Sequence, residues 1–296
     1  MKYHYSVTYG RQCGIATFTE NIKSDDYEIT NIVPKEADEL LIEMEYGIFH
    51  LINWQQISKL KTDGCKIKII MHSVNDNPIN AEIRKYADVI IVLNPLALSI
   101  FPEAIYIPHP SESFHRKKEW QFENNVIHHG FLLPKNNTEL LVKSNLGINK
   151  PLHLFTPVNN FSLYAYQHGI KIYHKLSMIH DHNIFTLDMN FYSKKELSEK
   201  MSNINGVIVL PQDDESDIHA SGAVYMSLST GNPVIVSKAK QFQDLPMLPK
   251  IKPDSQGISY ALRNMKAIIK DYDFKAVEKV LKDRKPEKFI EKIRGL

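Results

Sequence analysis

The chain has 296 residues, of which 43% are hydrophobic and 24% are charged, a composition typical of globular proteins rather than of fibres or disordered chains. Its 36 Lys and Arg residues against 34 Asp and Glu residues give a net charge of +2, which excludes a polybasic binder but allows one basic face toward a polyanion. The two cysteines, Cys13 and Cys65, are too few for a disulfide framework and have no metal-ligand spacing.

The first residues lack the basic and apolar regions of a secretory signal peptide, and no apolar run reaches the roughly 18 residues of a membrane span. We therefore expect no transmembrane segment and a reducing compartment such as the cytoplasm, that of a host cell if the chain is phage-encoded. The Lys-rich region from Lys266 onward carries Phe274, Val277 and Leu281 on one predicted helical face. These helices are expected to pack on the protein, with peripheral membrane contact as the alternative.

Short β-branched runs alternate with helical segments along almost the whole chain, a pattern typical of parallel sheets built from βα units. The predicted strands are residues 2–8, 27–33, 40–45, 48–52, 66–71, 89–93 and 104–107 in the first half, and 124–131, 151–157, 183–187, 207–210 and 233–237 in the second. We place the boundary in the polar, basic connection 111–120. The sequence therefore predicts two doubly wound α/β domains, residues 1–112 and 113–296.

The first predicted strand leads into a glycine-bearing turn and then a helix. Gly10 and Gly14 let the backbone approach a ligand closely, and the N–H groups at the helix start would face that ligand. The G-x-G-x-x-G fingerprint is absent from the turn, so a dinucleotide-dependent dehydrogenase is not indicated. Taken alone, the turn fits a tight βα connection better than a ligand site.

A second turn of this kind follows the predicted strand 207–210. An acidic loop leads to a helix that begins at Ser221 and Gly222. Ser221 is placed to cap this helix, and Gly222 leaves its positive end open to an anion such as a diphosphate. An ordinary Ser–Gly helix start is the alternative.

Several segments resemble a bacterial branch of the family-4 retaining glycosyltransferases, which have the GT-B fold. Residues 11–19 read RQCGIATFT, the amino-terminal motif of that branch. Further resemblances follow in the same order: 43–49 to QHEYGIF, 70–73 to TLHT, 106–109 to VIPHG with Pro110 replacing the glycine, 130–135 to FGFL…KG, and 221–234 to SGTLAYALGAGKAVV. The similarity extends from about residue 2 to residue 245.

The resemblance implies two Rossmann-like domains facing each other across a cleft. The amino-terminal domain would bind the acceptor, and the carboxyl-terminal domain, with the terminal helices, would bind a uridine or guanosine diphosphate sugar. Neither a metal ion nor another cofactor is implied. Transfer would retain the anomeric configuration: the acceptor hydroxyl attacks on the face from which the diphosphate leaves, and the departing phosphate takes its proton. No dedicated nucleophile is then needed, and the sequence offers no convincing nucleophile-and-base pair.

The resemblance also implies roles for four residues of the first domain. His72 ends a strand and would lie near the donor sugar, where it hydrogen-bonds a hydroxyl or orients the acceptor. Glu45 would contact the acceptor or position His72, with a buried ion pair as an equal alternative. Arg11 and Gly14 would face the donor, although Arg11 also fits a surface role.

In the second domain, Lys135 matches the phosphate-binding lysine of the family. With the helix start at Ser221 and Gly222, it would neutralise the leaving diphosphate. Residues 191–197 resemble the F-x-S-x-x-E-L segment that borders the nucleotide base, which makes Asn190 and Phe191 candidate base contacts. The alternative for Phe191 is a core aromatic.

One departure concerns the pair of glutamates that most family-4 enzymes carry around the donor helix. The corresponding positions are Ile218 and Met226. Asp217, in the acidic run 213–217, would supply an acceptor for a sugar hydroxyl, with a solvated loop as the alternative.

The acceptor itself is left open by the sequence. A saccharide or lipid-linked saccharide is what the branch suggests. A phage-type DNA glycosyltransferase acting on a hydroxymethylated base is the rival, because the basic stretch 115–118 suits nucleic acid. A non-catalytic nucleotide-sugar-binding subunit is the third reading, because the glutamates are missing and the acceptor half is short.

Overall fold

The computed structural model describes residues 1–111, 120–159, 162–179, 184–213 and 217–296. Several features singled out from the sequence lie outside these ranges: the domain boundary at 112–113, the basic stretch 115–118, and residues 214–216 of the acidic run. Within the described ranges, no helix combines the length and the apolar character needed to cross a bilayer.

The strands within the described residues are β1 (Lys2–Tyr5), β2 (Glu28–Thr30), β3 (Glu39–Met44), β4 (Lys66–Met71), β5 (Ser73–Val74), β6 (Val89–Val92), β7 (Ile105–Tyr106), β8 (Asn125–His129), β9 (Leu152–Phe155), β10 (Phe185–Asp188), β11 (Gly206–Leu210), β12 (Ile218–His219), β13 (Val234–Ser237) and β14 (Lys250–Ile251). The α-helices are α1 (Gly14–Asn21), α2 (Trp54–Thr62), α3 (Ile79–Tyr86), α4 (Thr138–Asn145), α5 (Leu163–Ile179), α6 (Lys194–Ser202), α7 (Gly222–Ser229), α8 (Ser255–Ile268), α9 (Phe274–Asp283) and α10 (Pro286–Arg294).

The chain forms two compact units. The first consists of Met1–Pro110, Ser216–Ala220 and Arg284–Leu296, and the second of Ser111–Glu215 and Ser221–Asp283. The predicted second domain contains all residues after 112, whereas α10 and the short strand β12 lie in the first unit. Each unit contains one six-stranded parallel sheet, which confirms the prediction of two Rossmann-like α/β units.

The sheet of the first unit has the strand order β2-β1-β3-β4-β6-β7. Because successive side chains of a strand point to opposite faces, its central strands feed two separate apolar clusters. Leu41 packs with Phe18 of α1 and Phe289 of α10 on one face, while Leu40 packs with Ile57 of α2 on the other. Helices cover both faces, as the nearly continuous apolar strands predict.

The sheet of the second unit has the strand order β10-β9-β8-β11-β13-β14. Numbered within this unit the order is 3-2-1-4-5-6, the arrangement of dinucleotide-binding Rossmann sheets. One apolar cluster joins the central strands to the helices around them, for example Ile208 of β11 to Val224 of α7 and Leu262 of α8.

The predicted strand at 48–52 is wrong. Residues Tyr46–Leu51 form a 3₁₀ helix, in which the N–H of Ile48 donates to the carbonyl of Glu45. A five-residue apolar run cannot be assigned to strand or helix by periodicity alone, and local i to i+3 hydrogen bonds decide here. The two-residue strands β5, β12 and β14 were also not predicted. They are too short to leave a pattern; β5 pairs antiparallel with β12, and β14 parallel with β13.

Candidate active site

The second sheet changes direction between β8 and β11, its first and fourth strands in chain order. In open α/β sheets, ligands bind outside the carboxyl ends of the strands at such a point. The chain that leaves β8 forms the turn that carries Lys135, and the chain that leaves β11 begins with Pro211 and Gln212. The topology therefore brings two candidate binding segments together at one edge of this sheet.

The turn after β8 has a defined shape. Gly130 has φ +128, and a Cβ there would lie 3.3 Å from the Nδ2 of Asn136, so a larger residue would be strained. The Nδ2 of Asn136 donates to the carbonyl of Phe131 at 2.6 Å. Lys135 lies in the 3₁₀ turn Pro134–Asn136, half-buried, and its carbonyl accepts from the N–H of Asp213. The backbone of Lys135 is thus held against the loop that follows β11.

Gln212 joins this turn to the start of α7. Its Nε2 donates to the Oδ1 of Asn136 at 2.9 Å, and its Oε1 accepts from Ser221 Oγ at 3.4 Å and from Gln241 Nε2 at 2.7 Å. The hydroxyl of Ser237 donates to the backbone carbonyl of Gln212 at 2.5 Å. All of these side chains are buried. We call this the Gln212 network; it connects the Lys135 turn, the end of β11, the end of β13 and the start of α7.

Ser221 has the N-cap position of α7, as predicted, but makes no capping hydrogen bond. Its hydroxyl donates to Gln212 instead of accepting from an N–H of the first turn. The helix begins at exposed Gly222, where the first N–H groups have no partner within the helix itself. This helix end therefore keeps its partial positive charge available to an anion.

Two histidines at the end of β8 hold the surrounding helices. His128 Nδ1 donates to the carbonyl of Val209 at 2.9 Å, and its Nε2 lies 3.0 Å from Thr138 Oγ1 of α4. His129 Nε2 lies 2.7 Å from Ser227 Oγ of α7. Burial lowers the pKa of His128 to about 4, and burial with the neighbouring His128 lowers the pKa of His129 to about 3. Both imidazoles are neutral and structural at pH 7.

Asn190 and Phe191 follow β10. The ring of Phe191 stacks on that of Phe131, with 6.0 Å between centroids and 23° between planes. At 38% exposure, Phe191 is not a core aromatic. The Nδ2 of exposed Asn190 donates to Asp188 Oδ1 at 2.9 Å and to Tyr192 Oη at 3.1 Å. These residues present an aromatic face and a fixed amide beside the turn after β8.

In the first unit, the sheet changes direction between β1 and β3. The turn after β1 contains Gly10, with φ +80, and exposed Arg11. The thiol of Cys13 caps α1 by accepting from the N–H of Ala16 at 3.4 Å. Gly14, the first residue of α1, is exposed, and a Cβ there would meet open space. This turn is an accessible backbone surface.

A carboxylate shared by two imidazoles lies at the ends of β1, β3 and β4. Glu43 is fully buried; its Oε1 lies 2.5 Å from His4 Nε2, and its Oε2 hydrogen-bonds His72 Nε2. Burial raises the pKa of Glu43, but the charge and hydrogen bond of His72 and the hydrogen bond of His4 outweigh this and lower it. The carboxylate that contacts His72 is therefore Glu43 rather than the predicted Glu45.

Glu45 is half-buried at the start of the 3₁₀ helix Tyr46–Leu51. Asp217 lies in the first unit, where its Oδ1 accepts from Asn75 Nδ2 at 2.7 Å. The two positions of the missing glutamates are apolar and packed: Ile218 against the core of the first unit, and Met226 against the core of the second. A carboxylate at either position would lose hydration.

Sequence reasoning assigned no role to Glu43 or Gln212. Glu43 left a signal, because it interrupts the otherwise apolar end of β3, and an acid in a buried strand needs a partner. Gln212 left none beyond its place directly after a buried strand and one proline.

Comparison with known proteins gives a fold but no sequence family. No protein-family model matches the chain, and no curated protein matches it in sequence. Among solved structures, a glycosyltransferase from Rickettsia africae ESF-5 is similar with TM-score 0.70 and 8% identity, over 99% of this chain and 97% of that one.

Two further glycosyltransferase structures are similar over much of the chain. An α,α-trehalose-phosphate synthase (UDP-forming) from Burkholderia vietnamiensis gives TM-score 0.66 and 10% identity, over 86% of this chain and 71% of that one. TarM gives TM-score 0.63 and 13% identity. The match covers 87% of this chain but only 54% of TarM, so this chain spans about half the length of that protein. The chain thus has the GT-B fold of these proteins, two Rossmann-like units each built on a parallel sheet.

Proposed function

We propose that the chain is a glycosyltransferase that moves a sugar from a nucleoside-diphosphate sugar to a hydroxyl acceptor. The observation that carries the proposal is the Gln212 network, which ties the Lys135 turn to the open amino end of α7 at the switch point of a Rossmann sheet. An ammonium group and free N–H groups are the donors that a departing diphosphate needs.

The donor nucleotide is assigned to the second unit. The open start of α7 and Lys135 hold the diphosphate, and the stacked pair of Phe131 and Phe191 offers an apolar face to the base. Asn190 lies beside this pair and supplies a hydrogen-bonding edge. The similar synthase from B. vietnamiensis is described as UDP-forming, which supports a uridine diphosphate sugar as the first donor to test.

The chemistry proposed is transfer with retention and without a metal ion. Negative charge grows on the leaving phosphate as the bond from the anomeric carbon to the phosphate oxygen breaks, and Lys135 with the α7 N–H groups stabilises that charge. The acceptor oxygen forms the new bond on the same face, and the departing phosphate takes the acceptor's proton. Arg11 and Gly14 of the first unit are assigned to donor contacts, and His72 to a sugar hydroxyl.

The acceptor is proposed to be a saccharide or a lipid-linked saccharide, taken up by the first unit. This assignment follows from the resemblance of residues 11–19 and 43–49 to the family-4 branch. A nucleic-acid acceptor has no support from the described residues, and the basic stretch that suggested it lies outside them.

The proposal is tested by incubating the protein with uridine and guanosine diphosphate sugars and measuring the released nucleoside diphosphate, with and without simple saccharide acceptors. We expect the protein to bind and turn over at least one donor. The NMR spectrum of the product should show the same anomeric configuration as the donor. Absence of binding to every donor, or an inverted product, would contradict the proposal.

The second candidate is a subunit that binds nucleotide sugars without transferring them. Ile218 and Met226, at the positions of the missing glutamate pair, are partly buried against apolar cores and offer no acceptor for a sugar hydroxyl. In the same assay this candidate gives donor binding with neither transfer nor hydrolysis, which separates it from the enzyme.

A further inference from the structure

Three neighbouring strands of the first unit bring two imidazoles to one buried carboxylate. His4 lies on β1 and Glu43 on the adjacent β3, while His72 directly follows β4 on the other side of β3. The N–H of His72 continues the sheet by donating to the carbonyl of Met44 at 2.9 Å. Strand register therefore places both rings on the same carboxylate.

The chemistry of Glu43 determines which nitrogen of each ring carries hydrogen. An ionised carboxylate only accepts hydrogen bonds. Glu43 is fully buried, and its pKa is lowered because its two imidazole partners outweigh the effect of burial. The Nε2 atoms of His4 and His72 both face its oxygens, so each must present N–H at Nε2.

Packing holds the ring of His72 in this orientation. The edge of the Phe18 ring meets it with 4.7 Å between centroids and 88° between planes. A flip of the ring would put Cε1 in place of Nε2 and lose the hydrogen bond, and bringing Nδ1 to the carboxylate would require the ring to leave this contact. The side chain of His72 retains 13% exposure, so the ring still reaches solvent.

We propose that Glu43 is a positioning residue that fixes His72 with Nε2–H on the carboxylate and leaves Nδ1 as the ring atom that meets a substrate hydroxyl. His4 holds the second carboxylate oxygen and thereby fixes the carboxylate plane. The reference to a substrate rests on the proposed function, whereas the assignment of the two ring nitrogens does not.

The tautomer is tested on the wild-type protein by long-range ¹⁵N–¹H NMR spectra at mildly alkaline pH. We expect Nε2–H for His72 and His4. His128 and His109 provide an internal reference for the other tautomer, Nδ1–H, because their Nδ1 atoms face the carbonyls of Val209 and Pro110. A spectrum of His72→Gln assigns the signal. An Nδ1–H tautomer for His72 would overturn the proposal.

Glu43→Gln tests the consequence for turnover. A carboxamide both donates and accepts, so His72 no longer has one preferred tautomer. We expect a mixed tautomer signal and a kcat lowered about 10- to 100-fold, with KM for the donor changed less than about twofold. Glu103→Gln, which breaks an exposed ion pair with Arg84 in the same unit, is the control and should change neither.

The outcomes separate this inference from the proposed function. If wild-type protein turns over no donor, the proposed function fails while the wild-type tautomer still decides the role of Glu43. If wild-type protein turns over a donor and Glu43→Gln keeps both the tautomer and kcat, the positioning role is refuted. If Glu43→Gln does not fold, the tautomer of His72 in the wild-type spectrum alone decides whether Glu43 has the positioning role.

Discussion

The side-chain amide of Gln212 donates to Asn136 Oδ1 at 2.9 Å, and Asn136 in turn donates to the carbonyl of Phe131 at 2.6 Å. These hydrogen bonds hold the Lys135 turn against Gln212, in the segment that follows β11. On the other side, Gln241 donates to Gln212 at 2.7 Å. Because these side chains are buried, removing the Gln212 amide takes a hydrogen-bond partner from three polar groups: Asn136 Oδ1, Gln241 Nε2 and Ser221 Oγ.

Gln212→Leu is therefore expected to lower the free energy of unfolding by about 1–3 kcal/mol. It should also weaken binding of UDP more than binding of uridine, because the network supports the diphosphate side of the site. Urea unfolding and calorimetric titration measure the two effects. Gln243→Leu, on an exposed side chain of the same unit, is the control. Equal loss of affinity for both ligands would argue against this role.

Lys135→Ala is expected to reduce turnover by about 100-fold or more, the cost of removing one donor to a developing negative charge. Stability should change by less than about 1 kcal/mol, because Lys135 is half-buried in a turn that its backbone holds. Release of the nucleoside diphosphate and urea unfolding provide the measurements. Lys143→Ala, which removes an exposed ion pair with Glu139, should leave turnover unchanged. Wild-type turnover in the Lys135→Ala variant would contradict the assignment of Lys135 to the leaving diphosphate.

His72→Ala should reduce turnover while nucleotide affinity stays nearly intact, because the ring is assigned to a hydroxyl rather than to the diphosphate. Stability should also fall by about 1–3 kcal/mol, since buried Glu43 loses one of its two partners. Steady-state kinetics and UDP titration distinguish the effects, and His50→Ala at an exposed position is the control. A large loss of UDP affinity would contradict this placement.

Much of the fold could be predicted from the sequence, because buried parallel strands leave dense apolar runs. Residues 66–71 illustrate this: the predicted strand and β4 coincide. The strand predicted at 48–52 is wrong, because local 3₁₀ hydrogen bonds compete with strand pairing over so short a stretch. The placement of α10 in the first unit depends on long-range burial of Phe289 against Phe18, which no local pattern encodes.

The candidate site was predictable where backbone geometry is involved and less so where side chains converge. The glycine-bearing starts of α1 and α7 were visible in sequence, as was Lys135. That Ser221 bonds to Gln212 depends on where α7 begins relative to the end of β11. That His72 bonds to Glu43 depends on the register between β3 and β4. Short polar side chains choose among several partners, and only the tertiary structure decides between them.

Lys68→Met tests a buried ion pair behind the first sheet. Lys68 Nζ donates to Glu39 Oε1 and to the carbonyl of Ile293 in α10, each at 2.8 Å. Removing the ammonium leaves the buried carboxylate of Glu39 with the Tyr27 hydroxyl and exposed Lys2, 3.5 Å from its Oε2, as remaining partners. We expect the unfolding free energy to fall by about 3 kcal/mol, the lower end of the range for a broken buried ion pair. Urea unfolding measures this loss, and exposed Lys85→Met is the control.

A double variant tests whether the lost charge is the reason. Adding Glu39→Leu to Lys68→Met removes the buried carboxylate that has lost the Lys68 ammonium, so stability should rise above that of the single variant. A double variant no more stable than Lys68→Met would indicate that packing, not charge, dominates at this position.

Acid should destabilise the second unit through His128. Its pKa is lowered from 6.5 to about 4 by burial, so the unfolded chain takes up a proton first as the pH falls. Unfolding free energy should therefore decrease between about pH 6.5 and 4, by up to about 1.4 kcal/mol per pH unit for this one group.

His128→Asn removes that titration, so its stability should depend less on pH over the same interval. His174→Asn, at an exposed position of α5, should follow the wild-type curve. Urea unfolding at several pH values provides the comparison, and parallel curves for wild-type and His128→Asn proteins would show that other groups cause the acid effect.

The first unit is assembled from three separate stretches of chain, the last of which is Arg284–Leu296. Phe289, Ile290 and Ile293 of that stretch cover the face of the sheet that carries Leu41 and Ile70. During synthesis, α1 supplies Phe18 to this face early, but the apolar cover of the face stays incomplete until α10 is made. The last residue of the second unit, Asp283, precedes α10 in the chain. The unit that begins the chain is the one that finishes folding last, and chaperones that bind nascent apolar surface would find their substrate there.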